Sequence, residues 1–380
     1  MIIGIDASNI ISGGGQTHLI EILKVSDPKE HNFSKIILWS NKKTLSLIDN
    51  KHWIEKQNPI QLEKGVFQRF WWQRTQLSQL AKNKECDILF VPGGLFLGKF
   101  KPFVTMSRNM LPFEYNELFR FGISFLTIKL LILRFAQKSS FVKAQGIIFL
   151  TKYAKKIVTN ASQLNQNKTV VIPHGVNRRF SKEPRKQISL KNKKIKILYV
   201  SLLEKHKHQD IVAKAVNELS KLNYNIKISF VGPSKEKSKI SFLKLLKKLD
   251  KYNNHLNYMG EVKFSSLHKL YQESDLFLYA SSCENLPNIL LEAMASGLPI
   301  VCSNKGPMPE ILQNGGIYFN PLNKTEIMNA LKKTINSKEL REKISKNSYS
   351  RSRLFTWEKC AKNTFLFLNK IYLENIKKRS

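Results

Sequence analysis

Two carboxylates, Glu284 and Glu292, flank the start of a predicted helix, with seven residues between them. The apolar run 275–280 is typical of a buried strand, and the segment after it is typical of a helix that has Pro287 near its first position and Gly297 at its end. Glu284 then lies in the turn between strand and helix. Glu292 lies roughly 8 Å along the helix, at about 1.5 Å per residue. One carboxylate is placed before the helix and the other within it.

The start of this helix is a predicted anion site. Backbone N–H groups around residues 286–290 have no partner in the first turn and carry the positive end of the helix dipole, so they can hold a diphosphate. A diphosphate with hydroxyl groups on both sides, as in a nucleotide-sugar, fits between the two carboxylates. The residues that we expect to contact such a ligand here are Leu286, Pro287, Asn288 and Ile289.

Both halves of the chain alternate strand-like and helical segments, which predicts parallel sheets covered by helices. In the first half the predicted strands are Ile2–Asp6, Lys35–Trp39, Asp87–Val91, Pro102–Met106, Gly146–Leu150 and Thr169–Pro173, with a helix from about Gln16 to Lys24. In the second half they are Ile195–Val200, Ile226–Gly232, Leu256–Gly260, Asp275–Ala280 and Leu298–Ser303. At 380 residues the chain exceeds the usual size of a single core. We therefore expect Rossmann-like domains at 1–176 and 195–356, a linker at 177–194 and a C-terminal helix at 357–380.

The two glutamates, together with EAMASGLPIV (Glu292–Val301) and GPMPEI (Gly306–Ile311), resemble the Glu-x7-Glu signature of retaining glycosyltransferase family 4. The resemblance implies an α/β fold with GT-B architecture, in which two Rossmann-like domains with parallel sheets face each other. It implies retaining transfer from a UDP- or GDP-linked sugar, in which Glu284 orients donor-sugar hydroxyls and Glu292 accepts from the ribose. In this family the C-terminal tail crosses back to the first domain, whereas the alternative is a helix that caps the second.

A second motif, Tyr199–Ala215, resembles the phosphate-contacting loop of the same family, which usually carries an arginine and a lysine. Lys207 matches the lysine, and Ser201 precedes it in the loop. Leu202 stands where the arginine is usual, so a charge-assisted contact of about 1.5–3 kcal/mol is missing. Lys205, His206 and His208 are candidates to replace it, although a solvated basic loop is favoured for Lys205 and His208.

Further site residues are implied by position within the family pattern. Gly14 and Gly15 lie in a glycine-rich turn after the first strand, where backbone can approach a ligand closely; a merely flexible turn is the alternative. His174 either contacts the donor or packs the hinge. Gly232 and Val262 follow strands near the nucleotide.

The segment after Met106 carries Ser107-Arg108-Asn109 where many relatives of the family have a histidine-aspartate pair. Arg108 could balance phosphate charge and Asn109 could bind a sugar hydroxyl, and we count both among the catalytic candidates with Glu284 and Lys207. The alternative is a loop in which Arg108 pairs with a nearby acid.

The formal charge of +35 predicts attraction to polyanions, namely nucleic acid, an anionic membrane face or acidic glycans. Lysine codon preference could account for part of it. The segment Arg120–Lys143 combines apolar and cationic residues as an interfacial helix would, and a core helix with cationic ends is equally consistent. No recognition helix or zinc motif supports nucleic-acid binding. We therefore expect no nucleic-acid partner. The longest apolar stretch is too short for a spanning helix.

The sequence therefore predicts a cytoplasmic, metal-independent glycosyltransferase that needs no cofactor. A peripheral location on the inner face of the membrane is an option within this prediction. The chain contains no Asp-x-Asp sequence and no paired cysteine spacing that would indicate a disulfide or zinc, and we expect no signal peptide. We expect a glycan or lipid-linked acceptor in surface polysaccharide or lipopolysaccharide synthesis. A GT-B nucleotide-sugar epimerase and a basic nucleic-acid-binding protein are the competing functions.

Overall fold

A computed structural model describes residues 1–190 and 193–377 of the chain. Backbone contacts divide it into two compact units. The first contains residues 1–118, 123–175 and the C-terminal segment from 356. The second contains residues 176–355 and the short stretch 119–122. The predicted linker at 177–194 belongs to the second unit where it is described, and residues 191–192 of it lie outside the described residues, as does the basic tail at 378–380.

Parallel strands and helices alternate along the whole chain. The strands are β1 (Ile2–Asp6), β2 (Lys35–Trp39), β3 (Ile54–Gln57), β4 (Ile88–Val91), β5 (Phe103–Met106), β6 (Gly146–Phe149), β7 (Thr169–Val171), β8 (Ile195–Val200), β9 (Ile226–Val231), β10 (Leu256–Gly260), β11 (Leu276–Tyr279), β12 (Ile300–Ser303) and β13 (Gly316–Phe319). The helices are α1 (Gly13–Val25), α2 (Lys42–Leu45), α3 (Val66–Thr75), α4 (Leu77–Asn83), α5 (Tyr115–Leu118), α6 (Phe125–Lys143), α7 (Lys152–Ser162), α8 (Gln209–Lys221), α9 (Glu236–Leu249), α10 (Phe264–Glu273), α11 (Asn288–Ala295), α12 (Met308–Leu312), α13 (Lys324–Asn336), α14 (Lys338–Ser352) and α15 (Trp357–Lys377).

Each unit is built on one sheet. The first sheet has the order β3-β2-β1-β4-β5-β6-β7, and the second has the order β10-β9-β8-β11-β12-β13. Every strand pair in both sheets is parallel. Central strands such as β4, β6, β11 and β12 are buried along their whole length, because helices cover both faces of a parallel sheet. The predicted α/β class with two Rossmann-like parallel sheets is confirmed.

The sequence reasoning missed two strands, β3 and β13. Both lie at the edge of a sheet, so neither is enclosed on both sides. All four residues of β3 are only half-buried, and its sequence IEKQ has no apolar run. β13 reads GIYF, and its middle residues are half-buried. Edge strands of this kind give a weak hydrophobic signal, which explains the omission.

Helix α15 groups with the first unit, where it contacts α1, β4 and β6. Its inward face includes Trp357, Phe365 and Leu368, all buried. Gly175 shows how closely this helix start approaches the end of the first unit: an added Cβ would lie 2.2 Å from the backbone nitrogen of Trp357. Among the described helices of the chain, none is long and apolar enough to cross a bilayer.

Candidate functional site

The order of the second sheet reverses at β8, which pairs with β9 on one side and with β11 on the other. In open parallel sheets, ligands bind outside the carboxyl ends of the strands at this reversal. Lys207 lies in the loop that follows β8, and Glu284 lies in the loop that follows β11. The topology therefore brings these two predicted side chains together although 77 residues separate them.

Lys207, Glu284 and Tyr279 form one buried polar cluster. The Lys207 ammonium makes an ion pair with Glu284 Oε1, and the Tyr279 hydroxyl donates a hydrogen bond to the same oxygen. Lys207 Nζ also lies 3.5 Å from the Tyr279 hydroxyl. Lys207 is buried and the Glu284 side chain is largely so. Because the three groups satisfy one another, the fold can hold two opposite charges at a point where little water reaches them.

Electrostatics keep the Glu284 carboxylate ionised. Burial acts to raise the pKa of Glu284, but the charges of Lys207 and His206 and hydrogen bonds from Lys207 and Tyr279 outweigh burial and hold the pKa below its ordinary value. Burial and the neighbouring carboxylate raise the pKa of Tyr279 well above its ordinary value, so the phenol stays protonated. At neutral pH the cluster contains one anion, one cation and one neutral donor.

Backbone and side-chain hydrogen bonds lock the two loops to each other. The Tyr199 hydroxyl in β8 donates to the carbonyl of Lys207. The Ser282 amide donates to the His206 carbonyl at 2.9 Å, and Ser282 Oγ lies 2.7 Å from His208 Nε2. His208 is buried, so the solvated-loop interpretation of this residue was wrong. Its ring is needed to tie the β8 loop to the β11 loop, whereas Lys205 is exposed as expected.

Glu292 lies on the buried face of α11. The Tyr271 hydroxyl donates to its Oε2 at 3.0 Å and also reaches the Ile289 carbonyl at 3.3 Å. Burial raises the pKa of Glu292 to about 7, against smaller opposing effects of the Tyr271 hydrogen bond and the Arg179 charge. A carboxylate held in this way is ready to accept hydrogen bonds, because it is poorly satisfied without them.

The start of α11 differs in detail from the sequence prediction. Pro287 is the residue before the helix rather than its first residue. The amides of Asn288 and Ile289 have no acceptor within the described chain, but the Leu290 amide donates to the Pro287 carbonyl at 3.0 Å and is not available. Asn288 Oδ1 is buried without a hydrogen-bond partner among the described residues. Two amides therefore remain for an anion.

Ser201 and Gly232 lie close together at the ends of β8 and β9. Gly232 has a φ of +143°, and a Cβ there would lie 2.0 Å from the Ser201 carbonyl oxygen, so the position requires glycine. Ser201 Oγ accepts from Gln209 at 2.7 Å. Leu202 is exposed and supplies no charge. Val262 follows β10 and is half-buried. Leu286, the remaining predicted contact, is buried next to Pro287.

In the first unit, the predicted glycine-rich turn is the first turn of α1. The helix begins at Gly13, three residues earlier than expected, with Gly14 and Gly15 inside it. A Cβ on Gly15 would lie 3.5 Å from the Arg108 guanidinium carbon, so the missing side chain makes room for Arg108. The N-cap Ser12 makes no side-chain capping bond.

Arg108 is a half-buried cation beside this helix start. Burial lowers the pKa of Arg108 to about 10, and its Nη1 atom has no hydrogen-bond partner in the described part of the chain. No acid in that part forms an ion pair with it, so the predicted alternative of a local acidic partner was wrong. Asn109 Oδ1 accepts from the Leu111 amide at 3.1 Å and is therefore engaged in a local turn.

His174 also lies in the first unit, packed against His18 and Trp357 at ring distances of 4.8 and 5.7 Å. Burial and the Arg108 charge lower the pKa of both histidines well below the ordinary value. With Cys360 they bring three potential ligand atoms within 4.8 Å of one another. The adjacent Arg108 charge disfavours a cation, and we assign no metal to this cluster. His174 therefore packs against the rings of His18 and Trp357.

Sequence reasoning missed Tyr279 and Tyr271, which hold Glu284 and Glu292 in place. Tyr279 ends the buried strand β11, and Tyr271 lies with Leu267 on the buried face of α10. By pattern alone, a tyrosine at either position is indistinguishable from a core aromatic residue. One signal was present. A buried tyrosine hydroxyl needs a hydrogen-bond partner, and the acids nearby in the predicted fold were the two glutamates.

Replacing Tyr279 with phenylalanine is expected to lower kcat/KM for donor turnover by about tenfold, because Glu284 loses a hydrogen bond to its charged form. The same loss raises the pKa of Glu284, so the acid limb of the pH–rate profile shifts upward. Enzyme kinetics across pH measures both effects. Tyr252→Phe, at an exposed tyrosine of the same unit, is the control. An unchanged pH profile in the Tyr279 variant would contradict the positioning role.

Comparisons with known proteins show which proteins this chain is similar to. Residues 180–351 match the family described as Glycosyl transferases group 1. Spore coat protein SA of Bacillus subtilis is 27% identical over 241 residues, which cover 57% of this chain and 63% of that protein, less than two thirds of its length. The predicted relation to glycosyltransferases is confirmed, and assignment to family 4 stays a prediction.

Two solved structures share the fold over nearly the whole chain. WaaG, a glycosyltransferase involved in lipopolysaccharide biosynthesis, superposes with a TM-score of 0.70 at 15% identity and covers 97% of this chain and 99% of its own. Anabaena HepE in complex with UDP and glucose gives a TM-score of 0.65 at 17% identity, with 96% and 97% covered. The predicted GT-B architecture is confirmed.

Proposed function

We propose that this chain, whose residues 180–351 belong to the glycosyl transferases group 1 family, is a retaining, metal-independent glycosyltransferase. It moves a sugar from a nucleoside-diphosphate sugar to a glycan or lipid-linked acceptor. The anomeric C–O bond to the diphosphate breaks, a bond to an acceptor oxygen forms, and the acceptor proton is released.

The observation that carries the proposal is the buried Lys207–Glu284–Tyr279 cluster at the strand reversal of the second sheet, with the two unpaired amides of α11 beginning four residues after Glu284 in the chain. A diphosphate needs positive groups without a hydration shell, which Lys207, Asn288 and Ile289 supply. Glu284 offers its second carboxylate oxygen to sugar hydroxyls.

Leaving-group stabilisation is the main chemical task, because negative charge grows on the diphosphate as the sugar becomes oxocarbenium-like. Lys207 and the α11 amides are fixed before the reaction, so they need little reorganisation to meet this charge. A cation and two amides replace the divalent ion that an Asp-x-Asp sequence would bind, and the chain has no such sequence.

Glu292 is assigned to the ribose of the donor. Its buried carboxylate has one hydrogen-bond donor, Tyr271, and can accept more. Two hydroxyls of a ribose would satisfy the oxygens that Tyr271 leaves unpaired. This role fits a nucleotide rather than a simple sugar phosphate.

The donor base and acceptor are proposed from the relatives. HepE, solved with UDP and glucose, supports a UDP-linked donor, with GDP as the alternative. WaaG, involved in lipopolysaccharide biosynthesis, supports an acceptor in surface polysaccharide or lipopolysaccharide synthesis. We place the reaction in the cytoplasm, at the inner face of the membrane, where a lipid-linked acceptor would be reached.

Thermal-shift measurements with UDP, GDP, ADP and their sugars test the proposal. A ligand that binds only the folded protein, at about a hundred times its Kd, stabilises it by about 2.7 kcal/mol, which raises the Tm by several degrees. We expect such a shift for UDP or GDP and for the matching sugar. No shift with any of the nucleotides would contradict the proposal.

A further inference from the structure

Helix α6 in the first unit carries large apolar residues on its exposed face. The residues that it buries include Thr127, Gln137 and Ser140, and Ser140 Oγ accepts a hydrogen bond from the Phe96 amide at 3.0 Å. It also buries Leu130 and Phe141, but four of its large apolar residues face outward. The exposed fractions are 83% for Phe125, 53% for Ile128, 65% for Ile132 and 69% for Phe135.

These four side chains form one continuous stripe, because spacings of three and four residues lie on a single face of a helix. Ile123, just before the helix, is fully exposed and extends the stripe. Exposed apolar residues scattered singly are ordinary, but a contiguous set of large ones marks an interaction surface. The opposite face packs in the core through Leu130 and Phe141, as the alternative interpretation predicted. We call residues 123, 125, 128, 132 and 135 the apolar stripe.

The charges within the segment that carries the stripe have one sign. The segment Arg120–Lys143 contains five Lys or Arg and no Asp or Glu. Lys129 and Lys143 are exposed on the helix. Arg134 is engaged within the protein: its Nη1 donates to the Pro112 carbonyl at 2.9 Å, and its guanidinium lies 4.3 Å from the Tyr115 ring centre. Exposed lysines beside an apolar face complement a surface that has an anionic outer layer over an apolar interior.

We propose that the apolar stripe docks on an anionic lipid membrane. The side chains of the stripe enter the boundary between headgroups and acyl chains, and Lys129 and Lys143 contact the lipid phosphates. The two attractions act together, since an apolar face or a basic patch alone gives weak and reversible binding. The formal charge of +35 adds attraction over a longer range. The inference goes beyond sugar transfer, because docking requires neither donor nor acceptor.

Co-sedimentation of the full chain with lipid vesicles tests the proposal. One set of vesicles is phosphatidylcholine alone, and the other is phosphatidylcholine mixed with phosphatidylglycerol. We expect binding to the mixed vesicles that weakens with added salt. Ile132→Ser/Phe135→Ser removes two apolar groups and should lower the affinity at least tenfold. Lys129→Gln/Lys143→Gln should lower it about fivefold per lysine, for the mixed vesicles only.

The matched control is Ile60→Ser/Phe67→Ser. These side chains lie in the same unit with exposed fractions of 65% and 82%, but their neighbour Glu63 is acidic. This variant should bind like the wild type.

Equal binding by both serine pairs, or no binding of the wild type to mixed vesicles, would overturn the proposal. A dimer in solution that only Ile132→Ser/Phe135→Ser dissociates would assign the stripe to a second copy of the chain instead. Vesicle binding is measured without nucleotide, so it is independent of the outcome for sugar transfer.

Discussion

Replacing Glu284 with glutamine is expected to lower kcat/KM for donor turnover by about a hundredfold. The amide keeps the shape of the side chain but not its charge, so hydrogen bonds from sugar hydroxyls weaken and Lys207 loses its partner. Release of the nucleoside diphosphate from the preferred donor measures the effect. Glu273→Gln, at an exposed acid of the same unit, is the control and should keep the wild-type rate.

A second variant separates catalysis from folding. The single variant Glu284→Gln leaves the buried Lys207 charge unpaired. This lowers the free energy of unfolding by about 3–5 kcal/mol. In the double variant Lys207→Met/Glu284→Gln neither charge remains, and stability should return close to the wild-type value. Activity should remain lost. A double variant that regains the wild-type rate would assign the pair a structural role only.

Replacing Glu292 with glutamine is expected to stabilise the protein at pH 8 while weakening donor binding at least tenfold. The pKa of about 7, raised by burial from an ordinary 4.5, means that ionisation opposes folding. Wild-type stability therefore falls as the pH rises from about 4.5 to 7, and the full cost of about 3 kcal/mol is present above pH 7. Glutamine carries no charge, so the variant avoids this cost.

Thermal unfolding of the Glu292 variant across pH checks the sign of the effect. The gain in Tm should be large at pH 8 and should shrink towards zero near pH 4.5. Donor affinity of the wild type should fall as the pH drops below 7, because a protonated carboxyl accepts fewer hydrogen bonds, whereas the variant should bind weakly at every pH. A variant that is less stable than the wild type at pH 8, or that binds the donor equally well, would contradict the assignment.

Much of the architecture was predictable because apolar runs mark buried parallel strands. Runs such as Ile195–Val200 and Leu256–Gly260 form strands with the predicted bounds. The fold then determines the site, because loops after β8 and β11 must meet at the strand reversal. Lys207 and Glu284 were predicted separately from motifs, and only the topology shows that they pair.

Other parts of the site were not predictable, because they depend on packing. No sequence pattern distinguishes the hydroxyl of Tyr279, which holds Glu284, from that of an ordinary core tyrosine. His208 is a basic loop residue by sequence, yet its left-handed backbone, with a φ of 51°, turns the ring inward to Ser282. The pKa of Glu292 follows from its burial on α11, which helix periodicity alone does not give.

The central claim is that the Lys207–Glu284 pair and the first turn of α11 bind the diphosphate of a nucleotide-sugar. Isothermal titration calorimetry of UDP and GDP against the wild type and Lys207→Met/Glu284→Gln tests it most directly. We predict saturable binding of one nucleotide to the wild type and a loss of at least tenfold in the folded double variant. Equal affinity for both proteins, or no binding to the wild type, would contradict the claim.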